Sequence, residues 1–208
     1  MKISFYVYEE DNKTYRIGHE ELAEYANVYG IENIISGRYS WLFVFNLMML
    51  EKNNGITPFS IIDEIKSLEG VGSKQQTKPA SEFKGIHLKG LWHNHFFAAH
   101  PSVIANNISN HIAFGKLKKI AEKVFDQKKS PVVTKEMVNE FSHKVVVESM
   151  EERASNGKLT GEWIVFAKHQ GQNYYLCINT HEAEDENIAK NIKTACLPQF
   201  PFLGNYVS

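Results

Sequence analysis

The sequence predicts an α+β fold, with a mainly helical N-terminal half and an antiparallel sheet ending in a C-terminal β-hairpin. Three observations carry that expectation. Residues 57–70 form a capped helical segment, residues 85–97 alternate, and two strand-like runs flank a polar turn near Gln170. The chain has 208 residues, enough to bury a substantial core. Composition divides it into a mainly helical region 1–72, a loop or linker 73–84, and an α+β region 85–208 that holds the candidate site.

Taken in order, "ISFYVY" is rich in β-branched and aromatic residues and reads as a strand. "GHEELAEYANVYG" reads as a short helix stopped by Gly30. "SWLFVFNLMMLEKNNG" is apolar nearly all round, then stops at Gly55; its Leu and Met content favours a buried helix. "TPFSIIDEIKSLEG" is the clearest helix. Thr57 suits the N-cap, Pro58 the first turn and Gly70 the end. "VGSKQQTKPASEFKG" is polar, with Gly, Ser and Pro, as linkers and exposed loops are.

"GIHLKGLWHNHFFAAHP" alternates. On one continuous strand, His87, Lys89, His93 and His95 share a face, and Leu88, Trp92 and Phe96 share the other. "NNISNHIAFGKLKKIAEKVF" reads as one helix with a basic surface of Lys116, Lys118, Lys119 and Lys123. "TKEMVNEFSHKVVVESMEERASNG" reads as a helix from Thr134 to near Gly157, with Val138, Phe141, Val145 and Val146 as its apolar stripe. "GEWIVFAKHQGQNYYLCINTH" reads as a β-hairpin. A turn at Gln170–Asn173 sets His169 opposite Tyr174 and puts Lys168, Tyr175, Cys177, Asn179 and His181 on one face. "AEDENIAKNIKTAC" is a closing helix, and "LPQFPFL" an apolar tail that packs back.

A formal net charge of −1 gives no global basic field, so a nucleic-acid site has to be a local patch. Two cysteines, Cys177 and Cys196, make no disulfide framework and suit a reduced, cytoplasmic setting. The N-terminus lacks a signal-peptide pattern. The longest apolar run is about half of what a membrane span requires, so no membrane association is expected.

Two kinds of chemistry fit the histidine-rich stretch. His93 and His95, at i and i+2 on a strand, offer two imidazoles to a zinc ion, with His87 or His100 as a third ligand; this is the metal-dependent hydrolase reading. The flanking sequence departs from the metallopeptidase His-x-His pattern, because Phe96 rather than Pro follows His95 and no Asp occurs between His95 and Asp126. The second reading needs no cofactor. His87, Lys89, His93, His95, Lys168, Tyr175 and His181 are candidate catalytic residues for acid–base cleavage of RNA. One group takes the 2′-hydroxyl proton, another protonates the leaving oxygen, and a cation steadies the phosphorane. A third reading is a non-catalytic binding protein whose aromatics, Trp41, Trp92 and Trp163 among them, stack on bases or a partner. There is no G-x-S-x-G elbow and no phosphate-binding glycine loop.

The segments "GIHLKGLWHNHF" and "GEWIVFAKHQGQNYYLCINTH", with a helix between them, resemble the barnase–EndoU–colicin–RelE superfamily of ribonucleases, in particular its phage and mobile-element members. The resemblance spans residues 83–195. It implies a metal-independent, toxin-type endoribonuclease, RNA as substrate and a cognate inhibitor protein as partner. Glu162 is the one nearby acid for the Glu–His pairing of the barnase type.

Overall fold

The Ser40 hydroxyl accepts a hydrogen bond from the Phe43 amide at 3.0 Å and donates one to the Leu176 carbonyl at 2.5 Å. One side chain thus caps a helix and ties it to the central sheet. The computed structural model describes residues 5–10, 12–97, 101–112, 114–126, 128, 130–159, 161–180 and 183–207. It is a mixed α+β fold, with helices dominating the N-terminal half and a hairpin near the C-terminus. No helix among the described residues is long and apolar enough to cross a membrane.

The chain forms two compact units. One comprises residues 1–75, 79–98 and 161–208; the other comprises 76–78 and 99–160. This division departs from the boundary expected at 73–84. The polar stretch does not separate two consecutive bodies, since chain on both sides of it enters the first unit.

In the first unit, β1 (Phe5–Glu10) pairs antiparallel with β2 (Lys13–Gly18). Only Tyr6 and Ile17 of this pair are buried, which is why β2 left little trace as an apolar alternation. α1 (His19–Val28) buries Leu22 and Ala26, and the short α2 (Ile31–Ile35) follows Gly30 in the left-handed region. α3 (Trp41–Asn54) runs from the Ser40 cap to Gly55, whose φ is +62°. α4 (Pro58–Leu68) starts at Thr57–Pro58 as its sequence predicts and buries Ile61, Ile62 and Ile65.

The central sheet is antiparallel, in the order β3 (Ser81–Glu82), β4 (Leu91–Phe96), β5 (Glu162–His169), β6 (Gln172–Asn179). Apolar side chains cover both of its faces. Trp92, Phe96, Ile164, Phe166, Tyr175 and Ile178 pack with the core of α1, α3 and α4. Leu91, Val165, Ala167, Leu176 and Cys177 pack with Ile188 and Ile192 of α9 (Asp185–Ala195) and with Phe200, Leu203 and Val207 of the tail. Both cysteines are free and buried.

Three sequence expectations are corrected here. Residues 85–97 do not form one strand. Ile86–Leu88 is a 3₁₀ turn, and Gly90, at φ +87°, breaks the chain before β4 begins. A Cβ at Gly90 would meet the Tyr206 ring at 2.8 Å, so conformation and space both favour glycine there. The hairpin turn is the two residues Gln170 and Gly171, both at positive φ, so His169 pairs with Gln172 and Lys168 with Asn173. A bulge then shifts the register beside Val165 and Phe166. It sets Cys177 opposite Val165 and Asn179 opposite Trp163, reversing the face expected for both.

The second unit contains α5 (Pro101–His111), α6 (Phe114–Val124), α7 (Lys135–His143), a π-helical turn (Lys144–Glu148) and α8 (Ser149–Ser155). The single helix expected over 106–125 is therefore two. The apolar spacing shows why: it lengthens to five residues between Ile112 and Leu117, so one helical face is not continued. Thr134 caps α7 through the Met137 amide at 3.3 Å, as its position predicts. Buried Arg153 donates from Nε to Asn107 Oδ1 at 3.0 Å and so ties α8 to α5. Val138 and Val146 of the expected apolar stripe are exposed, at 46% and 41%.

Candidate functional site

β4 alternates because its two faces meet different layers. Trp92, Asn94 and Phe96 turn toward the N-terminal helices; Leu91, His93 and His95 turn toward the other face. The two histidines stand edge to face, ring centroids 5.6 Å apart. The register adds three side chains. Ser81 pairs with His93 across β3–β4, and Trp163 and Asn179 complete the row across from His95.

Each imidazole is held. The Ser81 hydroxyl lies 3.3 Å from His93 Nε2. Phe83 and Trp163 flank the same ring at 4.6 and 5.1 Å. His95 is buried, and its Nδ1 lies 3.0 Å from the Gly161 carbonyl oxygen. The Gly161 amide nitrogen sits 3.5 Å from the same atom. The shorter contact decides the tautomer: Nδ1–H donates to the carbonyl, and Nε2 keeps the lone pair in the neutral ring. Asn179 donates to the Cys177 sulfur at 3.1 Å. Burial and the nearby Cys196 push the Cys177 thiol well above its usual range, so it is no thiolate nucleophile.

The expected residues do not all converge. His93 and His95 share the face just described. His87 and Lys89 lie outside β4, exposed on the 3₁₀ turn and just after it, so a common strand face with the two histidines is not what forms. Lys168 is on the opposite face, its Nζ 3.5 Å from the centre of the Trp92 ring, a cation–π contact. Tyr175 shares that opposite face, fully buried, and donates to Glu69 Oε1 at 2.7 Å. Glu69 also accepts from Asn173 at 3.0 Å and from Arg38 at 2.6 Å. Burial and this bond to Glu69 push the Tyr175 phenol upward, away from proton transfer near neutral pH. The sheet therefore separates Lys168 and Tyr175 from the histidine pair. His181 and His100 lie outside the described residues.

Among the described residues no three His, Cys, Asp or Glu side chains converge as a metal site. Ser81 and Gly161 were not legible as site residues. Ser81 reaches His93 through a two-residue strand inside a polar stretch, and Gly161 acts through its backbone. Compared with known proteins, the chain matches no family model, no curated protein and no solved structure.

Proposed function

We propose that the His93–His95 face is a site for metal-independent acid–base chemistry on a phosphodiester, with RNA as substrate. The observation that carries this reading is the close pairing of two imidazoles, one oriented by Ser81 and the other by the Gly161 carbonyl. Cleavage of RNA needs one group that accepts a proton and one that gives a proton, and histidine serves either role near neutral pH. His93, half-buried and the more accessible, takes the 2′-hydroxyl proton. The freed oxygen attacks phosphorus, a 2′,3′-cyclic phosphate forms, and the bond to the 5′-oxygen breaks. His95, protonated at Nε2, donates a proton to that leaving oxygen. Trp163 supplies a flat ring beside the pair for stacking a base.

The test is cleavage of a labelled oligoribonucleotide in EDTA. The expected result is cleavage by the unaltered protein, reduced about 10²-fold or more in His93→Ala and in His95→Ala, the scale of a lost acid or base. Lys168→Ala and Tyr175→Phe, on the opposite face, should cleave as before. Intact RNA with the folded, unaltered protein sinks the reading. Activity appearing only on adding zinc would instead assign the two histidines to a metal-dependent hydrolase.

A further inference from the structure

Opposite charges meet one another in the cleft of the second unit, a space of about 230 Å³ between α6 and the wall made by the π turn and α8. Lys116 Nζ, from α6, and His111 Nε2 both lie 3.1 Å from Glu152 Oε2 of α8. Lys144 of the π turn lies 3.1 Å from Glu148. Arg38 of the first unit follows the same rule. Its guanidinium meets Glu69 at 2.6 Å, and that bond holds its pKa above the usual value.

Arg153 breaks the pattern. α8 turns this side chain inward and leaves 8% of its surface exposed. A guanidinium offers five N–H donors and keeps its charge near neutral pH. Nε donates to Asn107 Oδ1 at 3.0 Å, and Nη2 donates to the Lys158 carbonyl oxygen. Both acceptors are uncharged. Among the described residues Arg153 forms no ion pair, and none accepts a hydrogen bond from Nη1. Burial, unopposed by any carboxylate, holds its pKa below the usual arginine value. A cation withdrawn from water without a counter-charge is a costly arrangement that an incoming anion offsets.

The backbone brings two more cations to the same corner. The Lys158 amide donates to the Arg153 carbonyl at 2.8 Å. The Lys78 amide donates to the Leu159 carbonyl at 3.1 Å, where Thr77 runs parallel to Leu159. Both lysines are exposed, and neither forms an ion pair among the described residues. Glu152, beside Arg153 in α8, is turned instead to Lys116 and His111. Three cations call for more negative charge than one carboxylate carries. Phosphate supplies it, as a monoester of about −1.5 to −2 or as the successive diesters of a strand. A planar fork receives two phosphate oxygens at once, and flexible ammonium groups act on them as point charges.

We infer that Arg153, flanked by Lys158 and Lys78, is the anchor of a binding site for a phosphate group. The group has two sources, a small phosphomonoester or the backbone of an RNA strand, and the experiment separates them. The Nε–H resonance of Arg153 is followed by NMR while inorganic phosphate, AMP, a ten-nucleotide oligouridylate without terminal phosphates, and acetate are added to the full chain at constant ionic strength. A saturable shift is expected with phosphate, and binding of acetate about tenfold weaker or more. Tighter binding of the oligomer than of AMP assigns the strand backbone; equal or weaker binding assigns the monoester. Arg153→Lys keeps the charge and loses the fork, and should weaken phosphate binding about tenfold or more. K78Q/K158Q alters two exposed side chains and leaves Arg153 in place; it should weaken binding about threefold or more. K13Q/K74Q, at two exposed lysines of the first unit, should change it less than about twofold. If Arg153→Lys fails to fold, the resonance of the unaltered chain and the K78Q/K158Q variant decide. An Arg153 resonance that no phosphate moves, acetate binding as tight as phosphate, or equal affinities in K78Q/K158Q and K13Q/K74Q overturn the inference. Binding should survive His93→Ala, so loss of cleavage and loss of this site are read separately.

Discussion

Tyr175 donates its phenolic hydrogen to Glu69 from the face of the sheet that turns away from His93 and His95. The tyrosine reads in sequence as a member of a catalytic face, yet its hydroxyl completes a carboxylate's hydrogen bonding. Tyr175→Phe leaves the ring in place and removes that bond. The expected cost is about 1.5–3 kcal/mol, the range for a hydrogen bond to a charged group. Urea unfolding should show the loss as a lower midpoint with an unchanged slope.

Glu69 makes stability depend on acid. Burial alone would raise its carboxyl, but bonds from Arg38, Tyr175 and Asn173 outweigh that and hold it below the usual carboxylate value. A carboxyl depressed by folding contributes stability above its unfolded pKa of about 4.3 and loses it as pH falls through the folded value. Unfolding free energy should therefore fall on acidification below about pH 4.3, more steeply than in Glu69→Gln. The glutamine variant should be less stable than the parent at pH 7, and the two curves should converge toward pH 2.

Gly161 tolerates no side chain. A Cβ there would overlap the Phe96 carbonyl oxygen, a backbone atom that cannot swing aside. Gly161→Ala should cost about 3 kcal/mol or more, the scale of a forced backbone shift. It should also move the His95 imidazole resonances, because the Gly161 carbonyl orients that ring. Thermal melting and the histidine side-chain spectrum check the two outcomes.

The hairpin tip offers a gain. Gln170 sits at φ +50° beside Gly171 at φ +78°, the geometry of a type I′ turn. A left-handed non-glycine residue costs about 1 kcal/mol or more, and asparagine bears it best. Gln170→Asn should raise stability by about 0.5 kcal/mol, read as a higher urea midpoint.

Local signals were legible where the chemistry is local. Thr57, Pro58 and Gly70 mark the fourth helix because extended N-cap backbone, ring constraint and left-handed exit each act within a turn of chain, though the Thr57 side chain makes no capping hydrogen bond. The hairpin and the closing helix follow from the same kind of signal. The histidine face was legible only in part. Alternation holds for His93 and His95 but fails at Gly90, whose positive φ answers to the Tyr206 ring more than a hundred residues away. On the hairpin, Lys168 and Tyr175 share a face with Ile164 and Phe166 as expected, and the bulge moves Cys177 and Asn179 off it. Face assignment across a hairpin compounds turn length with every irregularity, and each strand is bounded by apolar layers on both sides, so composition does not tell the faces apart. The cleft of the second unit was visible only as the lysines of α6. Its other wall comes from residues far along the chain.

The bulge in β6 works as a phase shifter. Near the tip, Tyr174 and Tyr175 keep one alternation; past Leu176, Cys177, Ile178 and Asn179 follow the opposite one. The two ends of a single strand are thereby uncoupled. The tip can change its exposed and buried residues without dictating which side chains join His95 and Trp163 at the base. Excising Leu176 would remove the extra residue and leave an unbroken ladder, with Tyr175 opposite Phe166 and Cys177 opposite Val165, so Asn179 would keep its place opposite Trp163.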